Sequence, residues 1–96
     1  VAGGYRLSDP AADLAVAAAL VSAMSERPVP SDCVILGEIA LSGEIRPVAH
    51  APLRLKEAAK LGFETAWVPS GVKAAEGIAI AQFANLRGLA DHILGR

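Results

Sequence analysis

The sequence predicts an α/β domain, an α+β sandwich in which helices pack on a mixed sheet, and three observations carry that assignment. Short β-branched runs alternate with longer alanine-rich segments of helical periodicity. Prolines, glycines and capping residues fall at the joins between them. The chain is 53% hydrophobic but only 4% aromatic, a composition that suits close packing of small-faced helices on strands.

Val1–Leu7 reads as a strand with a Gly-Gly irregularity, and so places the chain's first residues inside an element. Ser8-Asp9-Pro10 is a helix start: a side-chain cap, proline at the first helical position, and Asp13 facing the positive end of the dipole. The helix extends to about Glu26 and is apolar nearly all round. Leu14, Ala17, Ala18, Val21 and Met24 form one face, and Ala15, Ala19 and Ala23 keep the other side small. Such a helix is buried on more than one side, which implies a further part of the domain or a neighbouring subunit.

Arg27-Pro-Val-Pro30 ends the helix, because proline disfavours helical backbone in the residue before it. Cys33–Ala40 is predicted as a strand, Ser42-Gly43 as a tight turn, and Glu44–Val48 as the return strand of a hairpin. The stretch GEIALSGEIRPV thus repeats Gly-Glu-Ile as the two arms of one hairpin. After the loop Ala49-His-Ala-Pro52, a second helix runs to about Leu61 and stops at Gly62. Glu64–Val68 is a strand, Pro69-Ser-Gly71 a turn, Val72–Glu76 one helical turn, and Ile78–Phe83 a strand. A last helix runs from its cap Asn85 to Leu94.

Ninety-six residues make one compact domain, and a net charge of -1 draws the chain to neither nucleic acid nor membrane as a whole. No apolar run reaches the roughly 20 residues that a membrane helix needs. Leu14–Met24 is short and has acidic flanks, so it is no signal peptide either. The single Cys33 lies in the run Cys-Val-Ile-Leu, reads as a buried inert thiol and fits a reducing cytoplasm.

Neither a phosphate-binding G-x-x-x-x-G-K-S/T loop nor a dinucleotide fingerprint occurs. His50 and His92 are too far apart in sequence to suggest a metal cluster, and His92 in the last turn of a helix suits the negative dipole end. Ser42, His50 and Glu44 could form a hydrolytic constellation, but a serine beside a glutamate is ordinary turn chemistry. Glu38 and Glu44 are expected to oppose each other across the hairpin as a solvated pair rather than as an acid and a base. Arg46, Arg54, Lys56 and Lys60 face the single acid Glu57 over fifteen residues. They are either a solvated surface or part of a phosphate-tracking one.

In combination, Asp9-Pro-Ala-Ala-Asp-Leu14, Arg27-Pro-Val-Pro30, GEIALSGEIRPV and Arg54-Leu-Lys-Glu-Ala-Ala-Lys-Leu-Gly-Phe63 resemble the C-terminal, Lon-protease-like domain of the bacterial RadA/Sms DNA-repair family. The resemblance implies that residues 1–96 are a single, partial Lon-like domain lacking its N-terminal portion. It implies a parent with an upstream zinc finger and RecA-like ATPase, where ATP, Mg and Zn would bind, this chain needing no cofactor. It also implies a homo-hexameric ring in the bacterial cytoplasm that drives branch migration of recombination intermediates. The expected partners are DNA, a recombinase and further copies of the protein, with no membrane. Arg46, Arg54, Lys56 and Lys60 are the expected DNA contacts.

Lon proteases carry a nucleophilic serine in Gly-Pro-Ser-Ala-Gly, and the matching stretch Asp9-Pro10-Ala11-Ala12-Asp13 puts Ala11 at that position. Their partner lysine follows a Gly-Glu-Val-x-Pro-Ile hairpin, and the same count after Glu44-Ile-Arg-Pro-Val48 reaches Pro52. Lys56 lies one helical turn further on. Without nucleophile or base, covalent catalysis has neither part, so no catalytic residue is expected. The alternative is an active Lon-type serine–lysine peptidase with a displaced site at Ser42 or Ser8.

Overall fold

A computed structural model of the protein describes residues 10–96. The expected strand Val1–Leu7 and the caps Ser8 and Asp9 lie outside the described residues. A 3-10 turn, Pro10–Ala12, leads into α1 (Asp13–Ser25). Then follow β1 (Cys33–Ile35), β2 (Glu38–Ile39), β3 (Ile45–Arg46), α2 (Ala51–Lys60), β4 (Thr65–Pro69), β5 (Ala79–Phe83) and α3 (Leu86–Leu94). The described residues therefore form an α/β structure with three α-helices.

β1, β4 and β5 form a sheet in the order β1-β4-β5, parallel throughout, with Ile35 opposite Trp67 and Trp67 opposite Ala81. The antiparallel pair β2–β3 stands apart as a separate ribbon, so the described strands make a parallel sheet plus a ribbon where one mixed sheet was expected. Side-chain alternation along the strands divides the apolar residues into two clusters. Cys33, Ile35, Trp67, Ala81 and Phe83 pack with α1 and α3 through Leu14, Ala18, Leu89 and Ile93. Val34, Ala66, Val68 and Ile80 pack with α2 through Ala51, Leu55 and Ala58. Helices thus cover both faces, and the apolar run Ala66-Trp-Val68 is buried from both sides, as central parallel strands are.

The predicted strand Cys33–Ala40 is divided. β1 ends at Ile35, and after Leu36-Gly37 the chain enters the ribbon as β2. Gly37 marks the break because it runs against α1. Its N–H donates to the Ala11 carbonyl at 3.2 Å, and its carbonyl accepts from Leu14 N–H at 3.0 Å. The return strand is likewise only Ile45–Arg46, because Pro47 has no N–H to give a ladder. The turn between them forms as expected, with Gly43 at φ +91° and its N–H on the Ala40 carbonyl.

Val72–Glu76 is not helical; among these residues Ala75 makes an isolated bridge to Ile78. Five residues between two left-handed glycines, Gly71 and Gly77, do not repay helix nucleation. The Gln82 side chain holds the segment's start instead, donating to the Val72 carbonyl at 3.0 Å. Two expected caps form: Asn85 Oδ1 accepts from Gly88 N–H at 2.9 Å, and Gly62, at φ +98°, follows the end of α2.

α1 buries Leu14 and Ala18 but leaves Leu20 59% and Met24 85% exposed. Met24 therefore does not join the buried face to which its spacing assigned it. No helix among the described residues is long and apolar enough to cross a membrane.

Candidate functional site

The ribbon crosses the ends of β1 and β5. Leu36-Gly37 joins β1 to β2, Ile45 N–H donates to the Ala84 carbonyl, and Leu86 N–H donates to the Gly43 carbonyl. In parallel α/β sheets, the C-terminal ends of the strands are where ligand sites usually form. Here the ribbon lies there and seats Ile45 in the core.

The same ribbon closes the start of α1. Besides the two Gly37 hydrogen bonds, Ile39 N–H donates to Asp13 Oδ2 at 3.3 Å. Asp13 thus does more than face the helix dipole: it ties the helix start to β2. Ala11 is 6% exposed and brings a methyl group to this junction. Pro52 lies in the first turn of α2, just after His50, whose backbone is left-handed at φ 59°. Pro52 lines a shallow depression of about 440 Å³ with Lys56, Ala59, Lys60, Ala75 and Glu76, and Ala11 is not among the lining residues.

Ser42 serves the turn, its Oγ accepting from Glu44 N–H at 3.3 Å. Ser8, the other candidate nucleophile, lies outside the described residues. Glu38 and Glu44 do not oppose each other. The register pairs Glu38 with Arg46, while Glu44 stands opposite Ala40, whose N–H it accepts at 2.9 Å. The turn Leu41-Ser-Gly43, closed by the Gly43 N–H on the Ala40 carbonyl, sets this register.

The four basic residues are not gathered into one patch. Arg46 Nε lies 3.8 Å from Glu44 Oε1 on the exposed ribbon. Arg54 Nε donates to the Ala49 carbonyl at 3.1 Å, folding back over the preceding loop. At about 100° per residue, Arg54 points away from Lys56 and Lys60 around α2. Only Lys56 and Lys60 stand together, on the exposed face of α2, and both line the same two depressions.

His92 occupies the last turn of α3, but its ring packs on aromatics there. It stands edge-on at 5.1 Å from Trp67 and 5.2 Å from Phe83, which are themselves 5.8 Å apart. Trp67 and His92 also line a depression of about 360 Å³ with Asp32 and Thr65. Sequence spacing gave no sign of this trio, since it joins β4, β5 and α3. Cys33 is half-buried, not fully enclosed. Burial, with a smaller push from Asp32, raises its thiol pKa against the lowering effect of hydrogen bonds from Thr65 and the Trp67 backbone.

Residues 3–71 match the family model described as subunit ChlI of Mg-chelatase. The chain is 66% identical over 71 residues to a DNA repair protein RadA from Brucella abortus, an alignment covering 74% of this chain and 15% of that protein. It is 52% identical over 80 residues to the RadA of a Synechocystis species, covering 83% of this chain and 16% of the relative. With the RadA of Haemophilus influenzae it shares 45% identity over 91 residues, 95% of this chain and 20% of that protein. The chain therefore spans a fifth or less of the length of these curated relatives.

Proposed function

The chain belongs to the RadA/Sms family of DNA repair proteins, and to the sequence family described as subunit ChlI of Mg-chelatase, and from that premise we propose that it is a peptidase-inactive, Lon-protease-like module of a DNA-repair ATPase. The observation that carries the reading is the 66% identity over 71 residues to a protein named for DNA repair. The chain is one part of a larger polypeptide whose zinc finger and RecA-like ATPase lie elsewhere and hold Zn, Mg and ATP. It works in the bacterial cytoplasm on recombination intermediates, beside a recombinase.

The absence of peptidase chemistry follows from residue types. A serine peptidase needs an oxygen nucleophile and a group to take its proton. Ala11 offers a methyl group and Pro52 a ring without an ionisable atom. The N–H of Leu14, at the helix start, is committed to the Gly37 carbonyl. The module instead contributes surfaces. The exposed apolar side of α1, with Val16, Leu20 and Met24, supports a role in assembling a homo-hexameric ring, because patches of this kind mark interfaces. Lys56 and Lys60 are the principal DNA contacts, with Arg46 and Arg54 at the margin.

Anisotropy titration of a labelled single-stranded oligonucleotide with the parent-length protein tests the DNA role. K56E/K60E should weaken binding at least about tenfold and flatten the log–log salt slope by about 1.4, the value for two lost phosphate contacts on a single strand. Unchanged affinity would remove these lysines from the interface. Light scattering tests the assembly, where a monomeric parent protein contradicts the scaffold role. Stoichiometric labelling by a serine-reactive fluorophosphonate would restore the displaced peptidase.

A further inference from the structure

The depression of about 440 Å³ beside α2 has a lining of three kinds, drawn from two segments. Lys56 and Lys60 come from the helix, Pro52, Ala59 and Ala75 are small and apolar, and Glu76 comes from the loop before β5. At about 100° per residue around α2, the two lysines lie between Glu57 and this depression, and Glu57 is not among its lining residues. Glu76 is placed by its backbone neighbours. Ala75 bridges to Ile78, and Gly77, at φ +83°, runs so close to α2 that a Cβ there would lie 3.6 Å from Ala59 Cβ. Among the described residues Glu76 forms no ion pair with Lys56 or Lys60, so its carboxylate is not spent on neutralising them.

A carboxylate beside a surface that bound phosphate alone would only weaken it, because it repels the backbone that the lysines attract. The same carboxylate is an acceptor for a base that carries an amino group. We propose, building on the DNA role above, that the depression seats one unstacked base of a single strand and that Glu76 reads it. Lys56 and Lys60, one helical turn and about 6 Å apart along the axis, hold the backbone of that strand. The alanine and proline side chains meet the apolar faces of the base. Glu76 accepts from its exocyclic amino group, so that among the pyrimidines cytosine is preferred. Cytosine offers an N4 donor there, whereas thymine and uracil present O4, an acceptor facing an acceptor. Only a single strand can do this, since its bases are free to splay out and expose these edges.

The test titrates parent-length protein, at fixed salt, into labelled deoxycytidine and deoxyuridine homopolymers of equal length. These share the ring and lack the thymine methyl group, so the contrast at position 4 is amino against oxo. The unmodified protein should bind the deoxycytidine polymer at least about fivefold more tightly, the low end for a good base contact. Glu76→Gln presents a donor as well as an acceptor and should bring that ratio near one, chiefly by tightening on deoxyuridine. K56E/K60E should weaken both polymers by a similar factor. Glu76 is exposed, so its replacement costs little stability, and a thermal melt checks that both variants are folded. Equal binding of the two polymers, or an unchanged preference in Glu76→Gln, overturns the base-reading role. If K56E/K60E still weakens both polymers in that case, the DNA role stands without it. Unchanged binding of both polymers by K56E/K60E overturns the two together.

Discussion

Gly37 lies so close to Leu14 that a Cβ at position 37 would stand 2.9 Å from Leu14 Cδ2 and 3.1 Å from Leu14 Cβ. Ile45 Cγ2 would press from a third direction at 3.2 Å. Leu14 is fully buried and Ile45 nearly so, which leaves neither with room to retreat.

The two glycines of the repeated Gly-Glu-Ile therefore answer different needs, and substitution should separate them. Gly37→Ala should cost about 1–3 kcal/mol through overpacking. Gly43→Ala meets no atom within 4 Å, and its penalty comes from the left-handed backbone at φ +91°, about 1–2 kcal/mol. Adding Leu14→Ala to Gly37→Ala should produce a smaller loss than the sum of the two single losses, because the same space is contested. Gly43→Ala with Leu14→Ala should be additive. Urea denaturation of the three single and two double variants measures this.

Asp13 holds the ribbon to α1 by accepting from Ile39 N–H at 3.3 Å. Asp13→Ala removes a charged acceptor from a half-buried site and should cost about 1–3 kcal/mol. Asp13→Asn keeps an oxygen in place and should lose less. Hydrogen exchange of the Ile39 amide gives the local readout. It should accelerate in Asp13→Ala, while amides in β4 change only in line with global stability.

Cys33 supplies a pH dependence of known sign. Burial raises its pKa in the folded protein above the ordinary thiol value. The unfolded chain therefore loses the proton first as pH rises. The stabilisation is fully present below the unfolded thiol pKa and is lost as pH climbs through the folded one. Cys33→Ala should remove this alkaline decline without altering stability's pH dependence at neutral pH. Alkylation of native Cys33 by iodoacetamide should be slower at pH 8 than that of a free thiol, because less thiolate is present.

Much of the architecture was legible in the chain because its signals are local. Proline after Arg27, glycine after Leu61, asparagine before Leu86 and Ser42-Gly43 in the turn act through their own backbone or the next few hydrogen bonds. The strand at Cys33–Ala40 was legible only as one apolar run. Its division depends on Leu14, more than twenty residues away, lying against Gly37. The basic residues between Arg46 and Lys60 were equally legible as a group but not as a surface. Helix rotation sends Arg54 to the Ala49 carbonyl, and the ribbon carries Arg46 to Glu44.

The sequence alone determined the α/β class, where the helices stop, the ribbon turn, the RadA/Sms resemblance and the lack of a serine or lysine at positions 11 and 52. Each is a property of residue type or of near neighbours. The tertiary structure decided that the sheet is parallel with the ribbon separate, that Glu38 faces Arg46, and that His92 meets Trp67 and Phe83. It also decided that Lys56 and Lys60 share their face with two uncovered leucines. These outcomes depend on which distant segments exclude water from one another. Side-chain volume and register across the folded chain settle that competition, and local propensity does not encode it.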